Sequence, residues 1–263
     1  VKKGKMTKKG IKKACDVLSH YKEMVQHLPL EELFVFATAS LRNISNTDEA
    51  LQVILSETEL SVDVLTGYQE ATFDFIGAAR SMHLNKGILL DIGGGSTEIL
   101  VYERGEIQNA VSLAFGSLSI YSNYVKDLFP TNKEKKQIEE AVLAELKKVK
   151  FLNNKTFDVM IGIGGSIRAT KNMNNDMFEL SRENNIIFAE NVSELLKELK
   201  NSEKETLKRV LRTSPDRVHT LLPGMMIMDT VCQYVKCRNI VVSPYGVREG
   251  YLYQKLFPMD NIK

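Results

Sequence analysis

The chain has 263 residues, 43% of them hydrophobic and 26% charged, which describes an ordinary globular sequence with material for a buried core and excludes a disordered one. No apolar run approaches the ~18 residues of a membrane span, and no charged segment followed by an apolar one opens the chain as a signal peptide would. A net charge of +2, from 35 basic and 33 acidic residues, gives no support to a DNA-binding protein. The seven lysines of Val1–Lys13 read as a solvated helix start or a frayed terminus, with a patch for a polyanion as the alternative. Cys15, Cys232 and Cys237 form no CxxC pair, and the four histidines do not flank them at zinc spacing, so three free thiols in a reducing cytoplasm are expected.

Thr7–Leu28 carries apolar residues at the 3.6 period of a helix, at Ile11, Cys15, Leu18 and Val25. Leu33–Thr38 reads as a buried strand. Asn46 or Thr47 caps a helix running through Ser56, with Asp48 and Glu49 placed for its dipole. Val62–Thr66 is a predicted strand and Tyr68–Met82 a helix. Three strands follow, Ile88–Ile92, Thr97–Tyr102 and Glu106–Leu113, the last two joined by an Arg104-Gly105 turn. Helices are predicted at Gly116–Leu128 and Lys133–Val149, then a strand at Phe157–Ile163 and a helix from Ser166. The stretch Asn191–Lys236 is mostly helical, Asn239–Ser243 is a strand, and Val247–Phe257 closes the chain as a helix.

Antiparallel strands that continue into parallel ones describe the ribonuclease-H-like half shared by actin, Hsp70 and the sugar kinases. The expected fold is therefore α/β, built from two parts of this topology. Residues 1–84 make the first lobe and 85–248 the second, and a C-terminal helix in 249–263 packs back on the first. The first lobe reads as lacking its three opening strands.

The sharpest local feature is Asp91-Ile92-Gly93-Gly94-Gly95-Ser96-Thr97-Glu98. Three glycines between two strands cost backbone entropy unless the chain must turn tightly or something must approach its amides. Successive N–H groups in such a turn make a concave anion site, to which Ser96 and Thr97 add hydroxyls. Asp91 would repel a phosphate, so its presence points to a divalent cation between them or to a role in orienting water. A second loop, Gly164-Gly165-Ser166, opens a helix whose N-terminus can hold an anion. Arg42, after the Ala37–Leu41 segment, is read from spacing alone as a surface arginine, although its fork could clamp a phosphate. Glu70, in the first turn of its helix, reads by itself as dipole compensation.

Together these segments resemble the exopolyphosphatase/guanosine pentaphosphate phosphohydrolase (Ppx/GppA) family. The resemblance runs from Ala37-Thr38-Ala39-Ser40-Leu41-Arg42, through Thr66–Ala71, Asp91–Glu98, Gly162–Ser166 and Arg217 with Pro223-Gly224, to Tyr245–Gly250. It implies the two-lobed actin/Hsp70/sugar-kinase fold with the active site in the cleft, and a Mg²⁺-dependent phosphoanhydride hydrolase acting on polyphosphate or pppGpp; no membrane partner is expected, and a homodimer is one expected assembly. In that reading Glu70 is the general base and Arg42 the catalytic arginine. Gly93, Gly94, Gly95 and Ser96, with Gly164, Gly165 and Ser166, hold phosphate, and Asp91 and Glu98 face the metal. The sequence departs from the family pattern at Gln69 and Thr72, which flank Glu70-Ala71, and at His219. An ATP-dependent small-molecule kinase of the same superfold and a non-catalytic phosphate or nucleotide sensor are the alternative readings.

Overall fold

The structure is a computed structural model that describes residues 4–199 and 203–258. The first three residues of the basic stretch Val1–Lys13 and the last five of the segment 249–263 lie outside the described residues. The chain separates into two compact units, Val1–Glu70 and Ala71–Lys263.

The first unit holds α1 (Lys8–Val25), β1 (Phe36–Ala37), α2 (Ala39–Arg42), α3 (Thr47–Thr58) and β2 (Asp63–Val64). Its core is Ile11 and Cys15 of α1, set against Leu41, Ile44, Ala50 and Ile54. The predicted helix 7–28 is present as α1, capped by the Thr7 hydroxyl, which accepts from the Gly10 amide at 3.1 Å. The buried strand expected over Leu33–Thr38 is not. Only Phe36 and Ala37 form strand, both half-buried, while Leu33 is 47% exposed. A buried strand is flanked on both edges, and among the described residues β1 pairs only with β2, in parallel, over Phe36↔Asp63 and Ala37↔Val64. Asn46 takes the N-cap position of α3, but its side chain does not cap the helix. It is drawn instead to the backbone of Met6, accepting from the amide at 2.9 Å and donating to the carbonyl at 3.1 Å.

Helix α4 (Gly67–Ala79) begins in the first unit and continues into the second. The second unit then runs β3 (Lys86–Ile92), β4 (Thr97–Glu103), β5 (Glu106–Leu113), α5 (Ser117–Tyr124), α6 (Asn132–Lys148), β6 (Val159–Ile163) and α7 (Gly165–Met177). It continues through β7 (Ile186–Phe188), α8 (Ala189–Glu198), α9 (Glu203–Thr213), α10 (Leu221–Tyr234), β8 (Asn239–Val242) and α11 (Val247–Leu256). The six strands make one sheet in the order β5-β4-β3-β6-β8-β7. Strands β3, β4 and β5 form an antiparallel meander, and β3, β6 and β8 are parallel. This is the antiparallel-to-parallel order expected of a ribonuclease-H-like sheet. Edge strand β7, antiparallel to β8, has three residues, too few to carry an alternating pattern that sequence could reveal.

Alternation along β3 divides the core between the two faces of the sheet. Ile88, Leu90 and Ile92 join the larger cluster, which α10 enters with Leu222, Met225, Ile227 and Val231. Helix α10 packs against α5, α6, α7 and α8, which is why it is apolar on most sides, with Asp229 and Gln233 on the remaining strip. Leu89 joins Leu100, Ile161 and Ile163 in a second cluster covered by Ala71, Phe75 and Ala78 of α4. Helix α11 lies on α4 with its backbone in contact: a Cβ at Gly250 would stand 1.8 Å from the Phe73 carbonyl oxygen.

Helix α6 starts with a capping box. Thr131 Oγ1 accepts from the Glu134 amide at 3.3 Å, and Glu134 Oε2 accepts from the Thr131 amide at 2.8 Å. The Thr131 amide and hydroxyl hold the Glu134 carboxyl below its usual range. Its contribution to stability is therefore complete above the unfolded carboxylate range and is lost as pH falls through the depressed value. Thr131→Ala should cost about 1 kcal/mol, read as a lower urea midpoint at neutral pH, and the deficit should shrink on acidification.

Candidate active site

In the second unit the site grows from the β3–β4 hairpin. The register pairs Asp91 with Glu98 and Ile92 with Thr97, leaving Gly93–Ser96 as the loop, closed by the Gly93 amide on the Ser96 carbonyl at 3.0 Å. Directly opposed residues on antiparallel strands project to one face. Asp91 and Glu98 therefore share the face of Leu89 and Leu100, the one α4 covers. They are 7% and 0% exposed, and Glu98 Oε1 accepts from the Ser112 hydroxyl at 2.7 Å. Two buried carboxylates side by side repel, and a hard cation between them relieves the repulsion. The donor chemistry, carboxylate oxygens and no thiol or imidazole, suits Mg²⁺ rather than a softer metal.

The N-terminus of α5 orients the glycine loop. The Ser117 amide and hydroxyl donate to the Gly93 carbonyl at 2.9 and 3.1 Å, and the Leu118 and Ser119 amides donate to the Gly94 carbonyl at 3.0 Å each. A trans peptide carries its C=O and N–H in opposite directions, and the described chain has no cis bond. The Gly94 and Gly95 N–H groups consequently point away from α5, side by side, as an anion cradle requires. Gly116 permits this contact. A Cβ there would lie 2.5 Å from the Gly93 oxygen and 2.7 Å from the Gly94 carbonyl carbon. Ser96 is 2% exposed in the same loop. The Thr97 hydroxyl, read from sequence as an anion donor, is instead spent on the Phe115 carbonyl at 2.8 Å, where it pins the hairpin to the chain entering α5.

The second glycine loop lies beside the first because β6 is the parallel neighbour of β3, with Asp91 opposite Ile163. Gly164 has φ +96, a left-handed conformation that favours glycine, and a Cβ on it would stand 2.2 Å from Asp91 Oδ1. Both loops thus occupy the carboxyl ends of neighbouring strands, where open α/β sheets bind ligands. Gly165 begins α7, whose first-turn N–H groups have no intrahelical acceptor. Ser166 is 1% exposed and its hydroxyl has no hydrogen-bond partner among the described residues. Gly224 of α10 closes over Ser166 and Ser117, and the Arg217 guanidinium lies against Gly165. His219 lies against Tyr121, with ring centroids 5.0 Å apart and the rings tilted by 44°.

In the first unit Arg42 and Glu70 form an ion pair. Arg42 Nη1 donates to Glu70 Oε2 at 2.7 Å and to the Leu65 carbonyl at 2.9 Å. Arg42 is therefore not the surface arginine its spacing suggests; its side chain is 18% exposed and that of Glu70 7%. The turn that presents Glu70 is another capping box. The Thr66 amide donates to Gln69 Oε1 at 2.9 Å, and the Gln69 amide to Thr66 Oγ1 at 3.2 Å. Glutamine at 69 closes this box as a glutamate would. Thr72, the other departure beside Glu70-Ala71, is 1% exposed, with no partner for its hydroxyl among the described residues.

Sequence reasoning assigned no role to Gly116, Ser117 or Gly224. Their partners lie far away in the chain, and a Phe-Gly-Ser entry into a helix carries no signal of its own. Arg217 stands out in the sequence only through the pattern it shares with Pro223-Gly224, and its seat on Gly165 depends on the fold.

The sequence model of the Ppx/GppA phosphatase family matches residues 1–258. "Exopolyphosphatase 1" of Mycobacterium tuberculosis (strain ATCC 25618 / H37Rv) is 22% identical over 259 residues, covering 96% of this chain and 75% of that protein. "Guanosine-5'-triphosphate,3'-diphosphate pyrophosphatase" of Vibrio vulnificus (strain YJ016) is 25% identical over 265 residues, covering 95% of this chain and 50% of that protein. Among solved structures, an exopolyphosphatase from Cytophaga hutchinsonii superposes with a TM-score of 0.83 at 22% identity, over 97% of this chain and 85% of the other. The Aquifex aeolicus member of the Ppx/GppA family superposes with a TM-score of 0.78 at 24% identity, over 98% and 85%. Among the described residues no helix is long and apolar enough to cross a membrane.

Proposed function

Because the chain belongs to the Ppx/GppA phosphatase family, we propose that it is a phosphoanhydride hydrolase that releases terminal phosphate from polyphosphate or from pppGpp. The observation that carries the reading is the β3–β4 hairpin, in which a buried Asp91–Glu98 pair stands beside two glycine amides turned outward by α5. Hydrolysis of a phosphoanhydride is mainly positioning and charge neutralisation, and this hairpin offers both.

In this reading the Gly94 and Gly95 amides hold the terminal phosphoryl group, with Gly93 and Ser96 shaping the loop. Gly164, Gly165 and Ser166 receive a neighbouring phosphate at the start of α7. Asp91 and Glu98 would hold Mg²⁺, which would supply positive charge to offset the negative charge of the phosphate. Glu70 takes the proton of the attacking water. Arg42 orients Glu70 through Nη1, and its guanidinium offers charge to the departing oxygen.

The test is acceptor-free release of inorganic phosphate by the full-length protein, run in parallel on polyphosphate and pppGpp with Mg²⁺. Release from either supports the reading, and the ratio of rates assigns the substrate. ATP consumption only on addition of a small-molecule acceptor, with no release from either compound, would replace it with the kinase reading. Mg²⁺-dependent binding of either compound without release would leave a sensor.

A further inference from the structure

The C-terminal end of α10 brings two cysteines together by a defined backbone device. Lys236 adopts a left-handed conformation, φ 52. The Cys237 amide donates to the Cys232 carbonyl at 2.8 Å and the Lys236 amide to the Gln233 carbonyl at 3.3 Å. With Val235 as the C-cap, these are the 6→1 and 5→2 bonds of a Schellman motif. That motif sets the side chain two residues beyond the cap against the one three positions before it, usually as an apolar contact. Here those two side chains are Cys237 and Cys232. Both belong to the main core cluster, at 6% and 1% exposure.

We infer that Cys232 and Cys237 are a reversible redox modification site, a dithiol that hydrogen peroxide closes to a disulfide. The Cys237 thiolate attacks one peroxide oxygen, the O–O bond breaks and hydroxide leaves, giving a sulfenic acid. The Cys232 sulfur then attacks the Cys237 sulfur, the S–O bond breaks, and water departs with the Cys232 proton. Two thiols and one peroxide become one disulfide and two waters; the sulfurs are oxidised and the peroxide oxygens reduced. The order of attack follows from the environment of each thiol. The Cys237 thiol donates to the Asn239 carbonyl at 3.3 Å; the neighbouring Cys232 thiol holds it below the usual range, while Cys237 and burial push Cys232 well up. A small neutral oxidant suits a pair this buried. The bond would lock the end of α10, the helix whose first turn sets Gly224 against Ser166.

The native full-length protein is exposed to hydrogen peroxide, quenched with catalase, denatured, alkylated and digested with trypsin without reductant. Cleavage after Lys236 separates the two cysteines, so a disulfide appears as peptide 218–236 joined to the dipeptide Cys237-Arg238. The expected result is this joined species, loss of two alkylatable thiols with Cys15 retained, and full recovery on reduction. Cys237→Ser should abolish the joined species. Retention of all three thiols at peroxide doses that oxidise exposed methionines would overturn the inference. So would oxidation of Cys237 to sulfinic acid with no linked peptide. Both readouts come from the wild-type chain and do not depend on a variant folding.

Discussion

Glu70→Gln should lower phosphate release by roughly 10²–10⁴-fold, the range lost with a general base. The amide matches the carboxylate in size and cannot take a proton from water at neutral pH. Its oxygen can still accept from Arg42 Nη1, which in the wild type lies 2.7 Å from Glu70 Oε2. The capping box of Thr66 and Gln69 lies outside the substitution, so the first turn of α4 keeps its shape. Mg²⁺-dependent binding of a non-hydrolysed phosphate chain should accordingly stay within a few-fold of the wild type, as measured by calorimetry. Unchanged turnover would remove Glu70 from the mechanism. Loss of binding in parallel with turnover would make it a structural partner of Arg42 instead.

Gly116→Ala has an expected effect of similar size from a residue that need not touch substrate. Its φ of −147 is extended backbone open to any amino acid, so only the close approach forbids a side chain. The new methyl would lie 2.5 Å from the Gly93 oxygen and 2.8 Å from the Gly94 oxygen, the two acceptors that the α5 amides hold. The loop must lift from α5, and the Gly94 and Gly95 amides turn with it. Displacement of a catalytic group by about 1 Å costs on the order of 10² in rate, whereas overpacking costs about 1–3 kcal/mol in stability. The variant should therefore stay folded in a thermal melt while kcat falls about 100-fold. A folded variant with wild-type kcat would show that α5 does not set the cradle.

Much of the second unit was legible in the sequence because its signals are local. Ile88–Ile92 is a mostly apolar run between Gly87 and Gly93, Ile99–Tyr102 is a second one ahead of the Arg104-Gly105 turn, and the loop between them advertises its own chemistry. Strand β1 is shorter than the apolar, aromatic Leu33–Thr38 run suggests, because a strand's extent depends on neighbours that composition does not reveal. Arg42 shows the same limit from the other side. Spacing alone made it a surface residue, and its partner Glu70 lies 28 positions away. The glycine loop was identified from its residues, but the direction of its amides was not, since that is set by α5, which begins 24 residues after Gly93. Thr97 reads in sequence as a ligand donor because a hydroxyl beside glycines fits that role equally well; in the fold the Phe115 carbonyl claims it.

The most direct measurement is phosphate release by the full-length protein as a function of Mg²⁺, for the wild type and for Asp91→Asn. The Asp91–Glu98 pair predicts release that rises with Mg²⁺ and stops on chelation. It also predicts a drop of roughly 100-fold or more in the variant, which loses one of two metal-facing carboxylates. Release that persists in excess chelator, or an Asp91→Asn protein as active as the wild type at every Mg²⁺ concentration, would contradict the placement of the chemistry at this hairpin.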